Sequence, residues 1–250
     1  MIPLLKSEAR KLLTVRSTYV ASAIGFLLII FFAFWIEGYK GVSGSAAATL
    51  QPGALNEIIV NSSLSAVIIS IVAILFVGHE YRYNMIMYTL TAANSRVKVL
   101  IAKSLVIAGY SALYSLIGIG LAVVSYYAGL ALRDVVLPAQ ELDTVGRLLQ
   151  VIYFGVAYGL IGLILGFALR NVVGAIAFMF IVPTTVEALL GLLLKHNVMY
   201  LPFTALDRFV STGGGLPYNL SYAKAFAITM VYLVVGWALT AFFFKRRDAN

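Results

Sequence analysis

Cysteine is absent from this chain, which excludes a disulfide framework, a thiolate metal site and a cysteine nucleophile. Charge is scarce: 11% of residues are Asp, Glu, Lys or Arg, against about a quarter in soluble domains. Histidine occurs twice, at His79 and His196. Three apolar runs separate the pair, which puts them on opposite sides of a membrane if those runs cross it, so they do not share one metal, and His79-Glu80 lacks the His-Glu-x-x-His spacing of a zinc helix. No Gly-x-x-x-x-Gly-Lys-Ser/Thr loop is present to cradle a nucleotide phosphate, and Gly41-Val42-Ser43-Gly44 breaks the Gly-x-Ser-x-Gly spacing of a nucleophile elbow. A Thr-Val-Gly-Tyr-Gly filter and an internal repeat are missing as well. These absences predict a chain that is not an enzyme and binds no cofactor or metal of its own.

What remains is oil. Hydrophobic residues make up 62% of the 250, and the mean hydropathy is +0.97. Six apolar runs, at 18–36, 58–78, 104–127, 148–169, 172–194 and 224–244, each reach the ~20 residues a helix needs to cross a bilayer. Short alternating segments, the mark of a membrane barrel, do not occur. The expected fold is an all-α membrane protein of six transmembrane helices, with residues 1–250 forming a single domain.

The net charge of +8 follows topology rather than a nucleic-acid patch. Twelve of the 18 basic residues fall before the first run, between the second and third, between the fourth and fifth, and after the sixth. The remaining six (Lys40, Arg133, Arg147, Lys195, Arg208 and Lys224) lie in the alternate gaps with most of the acids. The positive-inside rule therefore predicts that both termini are cytoplasmic.

Residues 1–17 read as an amphipathic interfacial helix, with Leu5, Ala9, Leu12 and Leu13 on one face and Lys6, Arg10 and Lys11 on the other. The run that follows exceeds the roughly 7 to 15 residues of a signal h-region and is expected to be retained. Asn61 and Ser65, four apart on the second span, either pack against a neighbouring helix or line a substrate path. Gly155, Gly159, Gly162 and Gly166, spaced four, three and four, form a stripe for close helix approach, within the chain or between subunits. On the fifth span Pro183 predicts a kink, and Thr184 and Glu187, three apart, are expected on one face. A carboxylate there is either functional or an interfacial acid facing water.

The most charged internal stretch is 79–103. Residues 83–91 offer Met85, Ile86, Met87, Tyr88 and Leu90 between Arg82 and Arg96. An apolar centre with charged edges is the pattern of a transient protein contact, and also of a helix held at a membrane surface. Asn94 or Ser95 is placed to cap the third span.

Glu80-Tyr81-Arg82, then Thr89-Leu90, Asn94-Ser95-Arg96 and Lys103 resemble the pattern of type-2 ABC exporter permeases, the ABC-2 family. The start, Leu5-Lys6-Ser7-Glu8-Ala9-Arg10-Lys11-Leu12-Leu13 with Arg16-Ser17, and the end, Lys245-Arg246-Arg247-Asp248, are similar to the amphipathic first helix and basic stop of that family. Asn84-Met85 stands where the family commonly has Gly-Thr, and Ala92-Ala93 where a proline often sits. The resemblance implies a permease subunit that pairs with a second copy or relative and with a separate nucleotide-binding ATPase subunit carrying ATP and Mg. Glu80, Arg82, Met85, Tyr88, Thr89, Leu90 and Arg96 would belong to a coupling helix between spans two and three. Asn61, Ser65, Thr184 and Glu187 would fall on route-lining spans, and residues 198–217 on outer re-entrant segments. The expected cargo is amphipathic or lipid-like, such as a drug, an antimicrobial peptide or a lipid. The expected location is a bacterial or archaeal plasma membrane, with membrane lipid around the chain and no nucleic-acid partner. The alternative is an ATP-independent channel, or an anchor recruiting a soluble protein through the inner loop.

Overall fold

A computed structural model describes residues 1–40, 54–93, 95–133, 144–211 and 220–246. Among these, all regular structure is helical. Helix α1 (Ile2–Thr14) starts with Pro3 in its first turn, where no intrahelical N–H is lost. It stops at Val15, which is extended. Six longer helices are apolar enough to cross a membrane, and this is the architecture of an integral membrane protein. They are α2 (Arg16–Lys40), α3 (Leu55–Arg82), α5 (Arg96–Ala131), α6 (Val145–Leu169), α7 (Val172–Leu194) and α9 (Tyr222–Phe244). Two short helices complete the order: α4 (Ile86–Ala93) joins α3 to α5, and α8 (Pro202–Asp207) lies between α7 and α9.

The spans overrun the apolar runs at several ends, most of all in α5. Its helix begins at Arg96, about two turns before the expected start at 104. Ser95 holds the cap position in extended geometry but makes no side-chain cap bond, and Asn94 lies outside the described residues. Between α6 and α7 the chain reverses through Arg170, at φ 51°, and Asn171, whose Oδ1 accepts from the Gly174 amide at 3.1 Å.

Helices α3 and α6 are the most enclosed of the six, and α7 is the least. The glycine stripe sets the approach of α6 to its neighbours. Gly155 and Gly159 face Ser115 and Ser111 of α5, and Gly166 faces Val77 of α3. At Gly162 a methyl group would come within 2.6 Å of the Ser70 carbonyl oxygen, so only glycine fits without moving backbone. The stripe thus packs within the chain. Polar pairs tie further spans together: Tyr114 donates to the Ser22 carbonyl at 2.9 Å, Trp237 donates to Ser104 at 3.2 Å, and Tyr153 bonds Thr229. By contrast α7 presents Val173, Leu192 and Leu193 outward. Apolar side chains exposed to that degree belong against lipid or another protein.

The segment after α7 packs onto the bundle. Phe203, Ala205, Leu206 and Phe209 are buried in a cluster with Phe154, Ala157 and Tyr158 of α6 and Ala225 and Leu233 of α9.

Candidate functional site: a buried charge network behind a short exposed helix

Leu12 of α1 is almost fully buried, in a cluster with Val72 and Val77 of α3, Leu100 of α5 and Phe244 of α9. Helix α1 is therefore docked on the spans as well as amphipathic. Its buried face differs from the expected one: Leu13 is exposed, and Glu8, one turn from Leu12, is fully enclosed. Residues four apart share a helix face, so seating Leu12 carries Glu8 inside. A carboxylate in that position requires partners.

Those partners belong to a network drawn from four helices. Lys103 Nζ, on α5 and fully buried, lies 2.6 Å from Glu8 Oε2 and 3.0 Å from Glu80 Oε1 at the end of α3. Lys11 Nζ lies 2.7 Å from Glu8 Oε1 and 2.9 Å from Glu80 Oε1, and donates to Thr89 Oγ1 of α4 at 2.8 Å. The Lys103 ammonium also stands 3.9 Å from the centroid of the Phe76 ring. Two carboxylates and two ammoniums balance to zero net charge. Burial pushes the Glu8 carboxyl up, but the charge and hydrogen bond of Lys103, with those of Lys11, outweigh it and hold Glu8 below its ordinary value. Burial pushes Lys11 down, and its bonds to Glu8 and Glu80 more than reverse that, leaving it raised.

The network supports α4 from behind. After α3 the chain turns through Asn84, at φ 53°, a left-handed position that asparagine tolerates, and the Met85 amide donates to the Glu80 carbonyl at 2.8 Å. Ile86 and Thr89, three apart, are buried, while Arg82, Tyr83, Met85, Met87 and Tyr88 are exposed. Arg96 Nη1 donates to the Phe244 carbonyl at 2.9 Å, a favourable position for a cation near the C-terminal end of α9.

The residues expected to meet a partner thus divide. Arg82, Met85 and Tyr88 are at the surface. Glu80 and Thr89 are internal and tie α3 and α4 to the helices behind them. Arg96, the first residue of α5, is half-buried against α9, and the Leu90 side chain lies outside the described residues. The expected site omitted Glu8, Lys11 and Lys103. The available signals were the Glu8–Leu12 spacing and a lysine at the very edge of the third apolar run.

The residues expected along a substrate path differ in exposure and in partners. Asn61 is exposed and donates to Glu37 Oε1 of α2 at 2.7 Å, while Ser65 is buried. Thr184 and Glu187 do not share a face. The π-helical turn Val182–Val186 at Pro183 shifts the register, leaving Thr184 exposed, with its hydroxyl on the Phe180 carbonyl at 2.5 Å, and Glu187 buried. The Glu187 carboxylate accepts from the Phe203 amide at 3.0 Å, the Thr204 amide at 2.7 Å and the Thr204 hydroxyl at 2.6 Å. It fastens the start of α8 to α7 with charge-assisted bonds.

Among the described residues no three His, Cys, Asp or Glu side chains are grouped to hold a metal ion. No protein-family model matches the chain, and no curated protein matches it.

Proposed function

We propose that this chain is the membrane-spanning subunit of an ATP-driven exporter of the ABC-2 type. In this reading it pairs with a second copy or a relative, and a separate ATPase subunit docks on α4. The observation that carries the proposal is the exposed apolar surface of α4 backed by a buried charge network. Met85, Met87 and Tyr88 face outward, while Thr89 and Glu80 behind them are tied to α1 and α5 through Lys11 and Lys103. A displacement of α4 is then passed to α1, α3 and α5 together, because buried ion pairs resist separation.

The chain brings no nucleotide chemistry to this scheme. ATP and Mg sit in the partner, and the permease supplies the docking surface and the bundle that responds. Residues Arg82, Met85 and Tyr88 make the contact. Glu80, Thr89 and Arg96 act as positioning residues. The cargo is amphipathic or lipid-like and the setting is a bacterial or archaeal plasma membrane. The re-entrant role of residues 198–217 belongs to the same reading; of these, 212–217 lie outside the described residues.

Purification of the tagged chain from native membranes tests the proposal. An ATPase subunit is expected to co-purify, and the double change Met85→Ser, Tyr88→Ser is expected to weaken its affinity tenfold or more, about 1.4 kcal/mol. Absence of any associated ATPase would leave the channel or anchor alternative in its place. Retention of the ATPase at undiminished affinity by the double variant would remove α4 as the docking surface.

A further inference from the structure

At the end of the bundle opposite α1, two arginines reach the same two residues. Arg147, in the first turn of α6, donates from Nη1 to the Ser211 carbonyl and the Tyr222 hydroxyl, each at 3.5 Å, and to Gln150 Oε1 at 3.1 Å. Arg208, just past α8, donates from Nη1 to Ser211 Oγ at 3.3 Å and from Nε to the Leu220 carbonyl at 2.7 Å. Its guanidinium also stands 4.3 Å from the centroid of the Tyr222 ring. Every one of these partners is neutral. Among the described residues neither arginine forms an ion pair, although Asp207 is next to Arg208 in the chain.

Part of each guanidinium is unused. Of the five N–H groups that an arginine carries, those on Arg147 Nε and Nη2 and on Arg208 Nη2 make no hydrogen bond among the described residues, and none of these nitrogens is buried without a partner. They are open to an outside acceptor. Nothing in the surrounding elements offsets the two charges: α6 and α9 both begin here with no acid in their first turns, and Lys224 adds a further cation to the start of α9. Helix dipoles are positive at this end, so they add to the potential instead of lowering it. The patch calls for an anion with several acceptor oxygens.

Depth narrows the choice of anion. Arg147 and Tyr222 lie in the first turns of two membrane-spanning helices, the level of lipid headgroups, where tyrosine is enriched. One turn deeper on the same face of α9, Phe226 is 47% exposed, with its ring centroid 5.2 Å from that of Tyr153 of α6. Guanidinium groups thus sit directly above an uncovered aromatic surface. A phospholipid has the matching order, acceptor oxygens first and methylenes below.

We propose that this patch is a binding site for an anionic phospholipid of that leaflet. The phosphate oxygens accept from Arg147 Nε and Nη2 and from Arg208 Nη2, the planar fork of arginine being matched to phosphate. One acyl chain lies against Phe226. A zwitterionic headgroup brings its own cation, which the two guanidiniums repel, so a net negative lipid is selected. Soluble phosphate esters share the acceptor oxygens but leave the aromatic surface bare. The site needs no ATPase partner.

The test uses the full chain in nanodiscs of dioleoyl phosphatidylcholine, alone or mixed equally with dioleoyl phosphatidylglycerol. Hydrogen exchange of residues 202–211 reports on the site, and native mass spectrometry after gentle detergent release reads the lipid retained. In the wild type phosphatidylglycerol is expected to slow that exchange about threefold or more. Arg147→Gln is expected to abolish the slowing and to retain less phosphatidylglycerol, whereas Arg16→Gln, at the other end of the bundle, keeps the slowing. Arg147→Lys, which preserves the charge but not the fork, is expected to lose about half of the effect or more and serves if the glutamine variant fails to fold. Soluble glycerol phosphate added to choline-only discs is expected to leave exchange unchanged; slowing equal to that from the lipid would assign the patch to a soluble ester and overturn the lipid site. Exchange indifferent to phosphatidylglycerol in the wild type overturns the proposal, as does slowing undiminished in both Arg147 variants.

Discussion

Lys103→Met is the most direct probe of the charge network. The lysine is fully buried and makes contacts of 2.6 Å with Glu8 and 3.0 Å with Glu80. Methionine keeps the length and packing of the stem but removes the ammonium. Glu8 and Glu80 are then left to share Lys11, with one uncompensated negative charge in the interior. Removing one partner from a buried pair costs about 3 to 5 kcal/mol, mainly because the other charge stays behind. Taking the lower end and 2 to 4 °C per kcal/mol for a chain of this size, the melting temperature falls by roughly 6 to 12 °C. Trp237 reports locally, since its indole N–H bonds Ser104, the neighbour of Lys103. Thermal unfolding followed by tryptophan fluorescence in nanodiscs gives the number. Glu8→Gln combined with Lys103→Met leaves one carboxylate and one ammonium, and it is expected to recover at least half of the loss. A single variant within ~1 kcal/mol of wild type refutes the reasoning, because the cost of a buried charge left without its partner would then not govern the site. A double variant less stable than the single one refutes it as well.

The other predictions concern separate parts of the molecule. Glu187→Ala leaves the buried Phe203 amide without an acceptor, at a cost of about 1 to 3 kcal/mol, and hydrogen exchange in residues 202–211 is expected to accelerate while that of α3 does not. Gly162→Ala drives a methyl against the Ser70 carbonyl and is expected to cost about 1 to 3 kcal/mol. Gly109→Ala and Gly120→Ala, which meet nothing within 4 Å, are expected to be neutral or slightly stabilising in the same melting assay. Docking of α1 is expected to weaken in acid. The folded-state value of Glu8 lies below its ordinary 4.5, so its contribution is complete above 4.5 and is lost as pH falls through the lower folded value. Hydrogen exchange of residues 2–14 between pH 7 and pH 3, corrected for the intrinsic rate, reads this directly, and unchanged protection would count against the pairing of Glu8.

Legibility was greatest where the signal is local. Apolar runs of bilayer length announced six spans, and the four, three, four spacing announced a stripe on α6. The partners of that stripe, Ser70 and Val77 of α3 and Ser111 and Ser115 of α5, were not legible, since nothing in the spacing says which helix approaches. Helix ends were underdrawn at α5 because hydropathy marks the lipid-matched length, while the extra turns from Arg96 are held by protein contacts. Thr184 and Glu187 were placed together on an ideal 3.6-residue period, and a π turn at Pro183 separates them.

The sequence by itself determined that this is an all-helical membrane protein of six apolar spans, because hydropathy and helical period are properties of contiguous residues. Tertiary structure alone decided which charges lie inside. Glu8 and Lys103 are 95 residues apart, and only the seating of Leu12 against α3, α5 and α9 brings their charges to 2.6 Å. Burial of a charge is settled by what surrounds it, so Glu80, which the chain presents as one more acid in a polar loop, becomes an internal tie once four helices close around it.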